Sequence, residues 1–182
     1  MNNFPVNVDG KEYWISRSVA TVGFIFTKDN GFRILAVKRG KGCPDEVGKW
    51  CCPCGYLEWD ETLAEGCARE IKEETDLTVN PDRLNFWSFH DDPKEPRQNI
   101  TFRFVSFNKS YAGQTISPIG SEPDEVEDVE WIGFDELGKY DWAFGHLQLI
   151  LDCIQEYMFA YFSSMDNKTR LYLKSLTYTY DN

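Results

Sequence analysis

The sequence predicts an α+β fold. Three observations carry that prediction: short β-branched and aromatic runs broken by turn-forming residues, a stretch after Asp60 with apolar residues at helical spacing, and a second such stretch from Trp142. The first elements make a hairpin. Ser18 to Phe26 is an apolar run of strand-forming types, Lys28-Asp29-Asn30-Gly31 supplies the turn, and Phe32 to Val37 returns. Arg39-Gly40-Lys41-Gly42-Cys43-Pro44 reads as a loop, and Lys49 to Cys52 resumes an extended segment that Pro53 and Gly55 interrupt.

From Asp60 to Thr75 the period changes to that of a helix. Asp60 is placed to cap it, Glu61 suits its first turn, and Ala64, Cys67, Ala68 and Ile71 share one face. Strands are expected over Leu77–Val79, Leu84–Phe89 and Ile100–Phe107, with a polar loop over residues 91–98 that offers a natural place for substrate contacts. Residues 121–130 are rich in acids and lead into Trp131 and Ile132, as a solvated loop entering a strand would. Trp142 to Phe162 carries Phe144, Leu147, Ile150, Leu151, Ile154, Met158 and Tyr161 at three-and-four spacing, which predicts an amphipathic helix closing the core. The tail from Asn167 predicts no element, and no internal repeat is visible.

At 182 residues and 21.2 kDa the chain suits a single domain over residues 1–182. No apolar run approaches the roughly 18 residues that span a bilayer, and the N-terminus lacks the pattern of a secretory signal, so no membrane partner and a cytoplasmic location are expected. A net charge of −11 repels a polyphosphate backbone, which argues against nucleic acid as a partner. Any anionic substrate would then need a bound cation. The six cysteines are expected to be reduced. Cys43, Cys51, Cys52 and Cys54 invite a zinc reading, but neither His90 nor His146 is near in sequence, and small, partly buried residues of a strand and turn account for them more simply.

On the first helix Glu70, Glu73 and Glu74 share the face opposite the apolar one. Three like charges there repel one another. A solvated face tolerates this, yet divalent cations between the carboxylates explain it better, because magnesium and manganese prefer hard oxygen ligands. Gly55, Glu61, Arg69, Glu70, Ile71, Glu73, Glu74 and Leu77 together resemble the Nudix box, G-x5-E-x7-R-E-U-x-E-E-x-G-U, where U is a bulky aliphatic residue. Asp76 replaces the usual glycine, and Cys54 stands where a second glycine is common. Aspartate reaches the left-handed conformation at a helix end at small cost.

The resemblance implies a Nudix fold, a mixed β-sheet sandwiched between α-helices, and a Mg2+- or Mn2+-dependent enzyme that cleaves the diphosphate linkage of a small nucleotide-like substrate. Glu70, Glu73 and Glu74 would be metal ligands, joined by the Gly55 carbonyl. Arg69 would orient a carboxylate by ion pairing, and Glu61 would support that network. The base would be a box glutamate, Glu73 or Glu74, or an acid of the later stretch, of which Glu125 is favoured over Glu122, Asp124 and Glu127.

Arg39, Arg97 and Arg103, with Arg17 and Lys38, are the basic residues that could meet phosphates, while Trp50, Trp59, Trp87 and Phe89 could stack on a base. Pro93, sixteen residues beyond Leu77, resembles a feature of the ADP-ribose pyrophosphatase branch and tilts the substrate towards ADP-ribose or NADH. A non-catalytic nucleotide-sensing module of the same fold, an isopentenyl diphosphate isomerase and a zinc-structured interaction protein are the competing readings. The oligomeric state stays open, a homodimer included.

Overall fold

The structure, a computed structural model, describes residues 4–29, 31–95, 97–118, 124–157 and 165–177. Two short strands, β1 (Phe4–Val8) and β2 (Lys11–Ile15), pair antiparallel around Asp9-Gly10. Both turn residues have positive φ, 52° and 82°. That is the backbone a two-residue hairpin needs, and glycine adopts it without strain.

The main sheet is built on β3 (Val19–Lys28) and β4 (Phe32–Arg39), the expected hairpin, with Phe26 opposite Ile34. Short β5 (Trp50–Cys51) pairs with β4, and β6 (Cys54–Tyr56) pairs with β3. Helix α1 (Leu63–Thr75) follows. Then come β7 (Asn85–His90), β8 (Ile100–Phe107) and β9 (Val126–Gly133). The order runs β5-β4-β3-β8-β7, with β9 on β4. Only the β3–β8 pairing among these is parallel, so the sheet is mixed.

Helices cover both faces. On one, Ile25, Leu35 and Phe104 pack against Cys67 and Ile71 of α1. On the other, Phe24, Phe26, Ile34 and Ala36 pack against Leu147, Ile150, Leu151 and Ile154 of α2 (His146–Tyr157), and Leu173 of α3 (Asn167–Thr177) adds to the same cluster. This is the sandwich of helices about a mixed sheet that the Nudix resemblance implies. No helix among the described residues is long and apolar enough to cross a membrane.

Several expectations are corrected. The cap of α1 is Thr62, not Asp60: Thr62 and Glu65 make a capping box, with Glu65 N–H donating to Thr62 Oγ1 at 3.3 Å and Thr62 N–H donating to Glu65 Oε2 at 2.8 Å. Leu77 and Val79 are buried, yet the segment is not a strand. Thr78 pairs instead with a side chain, its N–H donating to Gln114 Oε1 at 3.2 Å and its carbonyl accepting from Gln114 Nε2 at 3.3 Å. The helix expected from Trp142 begins at His146, after a single turn of 3-10 helix (Ala143–Gly145) in which Phe144 is left-handed with φ 55°. Met158 and Tyr161 lie outside the described residues. The tail, which predicted nothing, contributes α3.

Candidate active site

Helix α1 approaches β3 closely because residue 23 is glycine: a Cβ there would stand 2.8 Å from Ile71 Cδ1. With Cys67 and Ile71 turned inwards, the helical period places Glu70, Glu73 and Glu74 on the side that meets β6. Gly55, the middle residue of β6, lies directly under Glu70. A Cβ on it would stand 2.1 Å from Glu70 Cδ, so only glycine lets that carboxylate reach the strand.

Arg69 organises the acids. Its Nε and Nη2 donate to the two oxygens of Glu61 at 3.0 and 2.9 Å. Its Nη1 donates to Glu70 Oε1 at 2.9 Å and to Glu73 Oε2 at 2.8 Å, and Nη2 also donates to the Tyr56 carbonyl at 2.9 Å. A guanidinium has five N–H donors, and these contacts engage all of them. Arg69 therefore has no donor left for a substrate. The Arg69 pairing holds the Glu61 carboxyl below its ordinary range, whereas burial raises Glu70 against the opposing charge of Arg69.

Glu74 stands apart from that network. The Cys54 N–H donates to its Oε2 at 3.0 Å. Burial, with the Cys54 sulfur beside it, pushes its carboxyl well above the ordinary range. Among the described residues no three His, Cys, Asp or Glu side chains are drawn together as a finished metal cage. The donor set nonetheless suits a hard cation: the carboxylates are part-buried, and desolvation penalises two of them unless positive charge is supplied. The four cysteines near β5 do not offer comparable chemistry. Cys51 and Cys54 stand in a C-x2-C spacing; Cys51 and Cys52 are buried, and burial raises Cys52 and Cys43. Cys54 is raised first by its hydrogen bond with Cys51 and then by burial.

The other predicted residues lie along the rim. Arg39, at the end of β4, donates from Nη2 to Asp45 Oδ1 at 3.0 Å, and its guanidinium lies 4.8 Å from the centre of the Phe144 ring. Arg97 reaches the other oxygen of Asp45 at 2.9 Å. Arg103, on β8, is part-buried and among the described residues has no hydrogen-bond or ion-pair partner; burial lowers its pKa. The Glu125 backbone is pinned to the loop after β4, its carbonyl accepting from Gly40 N–H at 2.7 Å and from the Cys43 thiol at 3.2 Å. A Cβ on Gly40 would lie 2.0 Å from the Asp124 carbonyl oxygen, so this approach too requires glycine. Asp124 and Glu127 are described, the latter paired with Lys38; Glu122 lies outside the described residues.

Arg17 is occupied elsewhere, donating to the carbonyls of Asp91, Gln98 and Asn99 and so closing the polar loop. Among the aromatics, Trp59 is 77% exposed, and Phe89 is exposed on edge strand β7. Trp87 packs edge-on to Phe24 and donates to Glu156, while Trp50 packs on Tyr140. Sequence reasoning missed Asp45 and the left-handed, exposed Phe144. The Phe144-Gly145 pair was the available signal, since glycine near a helix start marks a backbone change.

The chain belongs to the Nudix family: the family profile described as NUDIX domain matches residues 17–153. It is 31% identical over 93 residues to the phosphatase NudJ of Shigella boydii serotype 4, covering 50% of this chain and 55% of the relative. It is also 31% identical over 91 residues to NudJ of Escherichia coli K12, covering 48% and 54%. The chain thus spans about half the length of the curated relatives it matches. Among solved structures, the NUDIX domain of Shewanella oneidensis NrtR complexed with ADP ribose superposes with a TM-score of 0.66 at 20% identity, over 78% of this chain and 88% of that one. A bifunctional NMN adenylyltransferase/ADP ribose pyrophosphatase from Francisella tularensis, complexed with AMP and a manganese ion, superposes at 0.60 and 21% identity, over 77% and 42%. At these identities the two structures establish the fold.

Proposed function

We propose that this chain is a Mg2+- or Mn2+-dependent Nudix hydrolase that cleaves the diphosphate linkage of a nucleoside diphosphate derivative, with ADP-ribose or NADH-like molecules favoured. The observation that carries this is the Arg69 network: one guanidinium holds Glu61, Glu70 and Glu73 on one side of α1, with Gly55 clearing space for Glu70 and Glu74 placed beside it on the Cys54 N–H. Glu70, Glu73, Glu74 and the Gly55 carbonyl are the ligands assigned to the cation. When bound, the cation supplies neutralisation of the diphosphate charge and acidification of a water.

The rest is the work of the chain itself. Arg39, Arg97 and Arg103 bind the phosphates and hold the scissile bond in line. Glu125, fixed through its backbone to Gly40 and Cys43, takes the proton of the attacking water. ADP-ribose is favoured by Pro93 and by the fold's likeness to a domain complexed with ADP ribose and to a chain carrying an ADP ribose pyrophosphatase.

The test is incubation of the purified chain with ADP-ribose, NADH, dinucleoside polyphosphates, nucleotide sugars and nucleoside triphosphates, with magnesium or manganese, beside a Glu74→Gln variant. Metal-dependent turnover of at least one substrate, lost in the variant, is expected. Binding of a nucleotide without turnover of any would overturn the enzymatic reading in favour of a nucleotide-sensing module.

A further inference from the structure

The loop after β4 closes on its own root, with Arg39 N–H donating to the Lys49 carbonyl at 2.9 Å and Gly48 N–H to the Arg39 carbonyl at 2.8 Å. From its middle Asp45 reaches two arginines. Oδ1 accepts from Arg39 Nη2 at 3.0 Å, Oδ2 meets Arg97 Nη2 at 2.9 Å, and the Asp45 carbonyl accepts from Arg39 Nε at 3.1 Å. Arg97 belongs to a different loop, the one that Arg17 closes. One carboxylate therefore lies between two guanidiniums from two separate loops, a position that a phosphate group also fits, because planar N–H forks suit both anions.

The place of this bridge matters as much as its geometry. Arg39 lies within electrostatic reach of Glu74. Arg39 and Arg103 both act on His146, and Glu95, from the loop of Arg97, acts on Arg103. The Arg39 end of the bridge is thus coupled through charge both to Glu74 on α1 and, through His146, to the neighbourhood of Arg103. It is also open to water. The side chains of Arg97 and Asp45 are 49% and 37% exposed, so an ion arriving from solution meets them first and their exposed pair is weakly held, while Arg39, 12% exposed, forms the inner wall.

We infer that Asp45 is an internal stand-in for substrate phosphate, occupying the anion position between Arg39 and Arg97 until a diphosphate displaces it. This rests on the proposed function of the same site. A singly charged carboxylate keeps the two guanidiniums aligned and the position closed to monoanions. A diphosphate carries more charge and prevails. Asp45 is then a specificity device, favouring polyanions over monoanions at the two arginines. The alternative is that the carboxylate only ties the two loops together. In that case removing its charge loosens the arginines and weakens anion binding.

The two cases differ in sign, which calorimetric titration of the full chain with methylenediphosphonate, a diphosphate that cannot be hydrolysed, reads in buffer holding a fixed excess of magnesium. Asp45→Asn keeps the shape and removes the charge. It is expected to tighten binding by at least about fivefold, the change for a single pair of unit charges roughly 4 Å apart in water-like surroundings. Arg97→Gln is expected to weaken binding, and the gain from Asp45→Asn is expected to vanish in the double variant. Unchanged or weaker binding by Asp45→Asn overturns the inference, as does a gain that survives in the double variant. Absence of binding by every variant overturns it as well. Failure of the substrate panel with this pattern intact would instead overturn only the hydrolase reading.

Discussion

Gly55 and Glu70 stand in a relationship that no larger residue at position 55 allows, since the Glu70 carboxyl carbon lies 2.1 Å from where a Cβ on Gly55 would be. Gly55→Ala should therefore push the Glu70 carboxylate off the strand and away from Arg69. The expected result is a folded protein whose metal affinity and turnover fall by about 10- to 100-fold, the usual cost of disturbing groups that orient a metal site. Metal titration with circular dichroism on the same sample checks this. Unaltered metal binding would show that Glu70 does not need the space.

Arg69→Lys keeps the charge but removes the planar fork. A lysine has three donors where five acceptors wait, leaving part of the Glu61, Glu70 and Glu73 set unpaired. The variant should lose about 1–3 kcal/mol of stability, the cost of leaving part-buried charged groups without hydrogen bonds. Urea unfolding measures it. Because Arg69 positions its neighbours, added manganese should partly restore stability, and a loss that metal leaves untouched would contradict that role.

His146 makes stability depend on pH. It is buried, its Nδ1 accepts the Cys52 N–H at 2.9 Å, and burial together with Arg103 and Arg39 lowers its pKa from 6.5 to about 3. The folded state keeps the ring neutral while the unfolded chain takes up a proton near its ordinary pKa. Its contribution is thus complete above about pH 6.5 and is lost as pH falls towards about 3, by at most roughly 1.4 kcal/mol per pH unit. Urea midpoints at pH 7, 5 and 4 should fall more steeply for the wild type than for His146→Asn. Parallel slopes would place the acid sensitivity in other groups.

Asp76 ends α1 in the left-handed conformation, φ 60°, with its N–H donating to the Lys72 carbonyl at 2.9 Å. Glycine adopts that conformation more easily, by about 1 kcal/mol, whereas the exposed Lys72–Asp76 ion pair contributes less than about 1 kcal/mol. Asp76→Gly should stabilise the chain by about 0.5 kcal/mol, read as a rise in Tm, with catalytic parameters unchanged. A lower Tm would mean that the ion pair outweighs the strain.

The elements legible in advance are those whose pattern is local. Alternation and turn residues located the β3–β4 hairpin, β7 and β8, and the helical period located α1 and the face carrying Glu70, Glu73 and Glu74. The β1–β2 hairpin was legible too: Asp9-Gly10 between strand-forming residues is a strong short-range signal that went unread. Leu77–Val79 was misread for a physical reason. A buried apolar run resembles a strand whether its backbone pairs with another strand or with the amide of Gln114, and local composition carries no record of the partner.

What the sequence by itself determined is the spacing of Gly55, Glu61, Arg69, Glu70, Glu73 and Glu74, because a helix of known period turns such spacing directly into a shared face. Only the tertiary structure decided that Arg69 engages all its donors within the protein, that Glu74 rests on the Cys54 N–H, and that Asp45 joins Arg39 to Arg97. Those contacts join residues from separate elements, and Asp45 and Arg97 lie 52 positions apart in the chain. Their meeting depends on how the loops at the end of a mixed sheet fold back on one another, a property of the packed whole that no local period encodes.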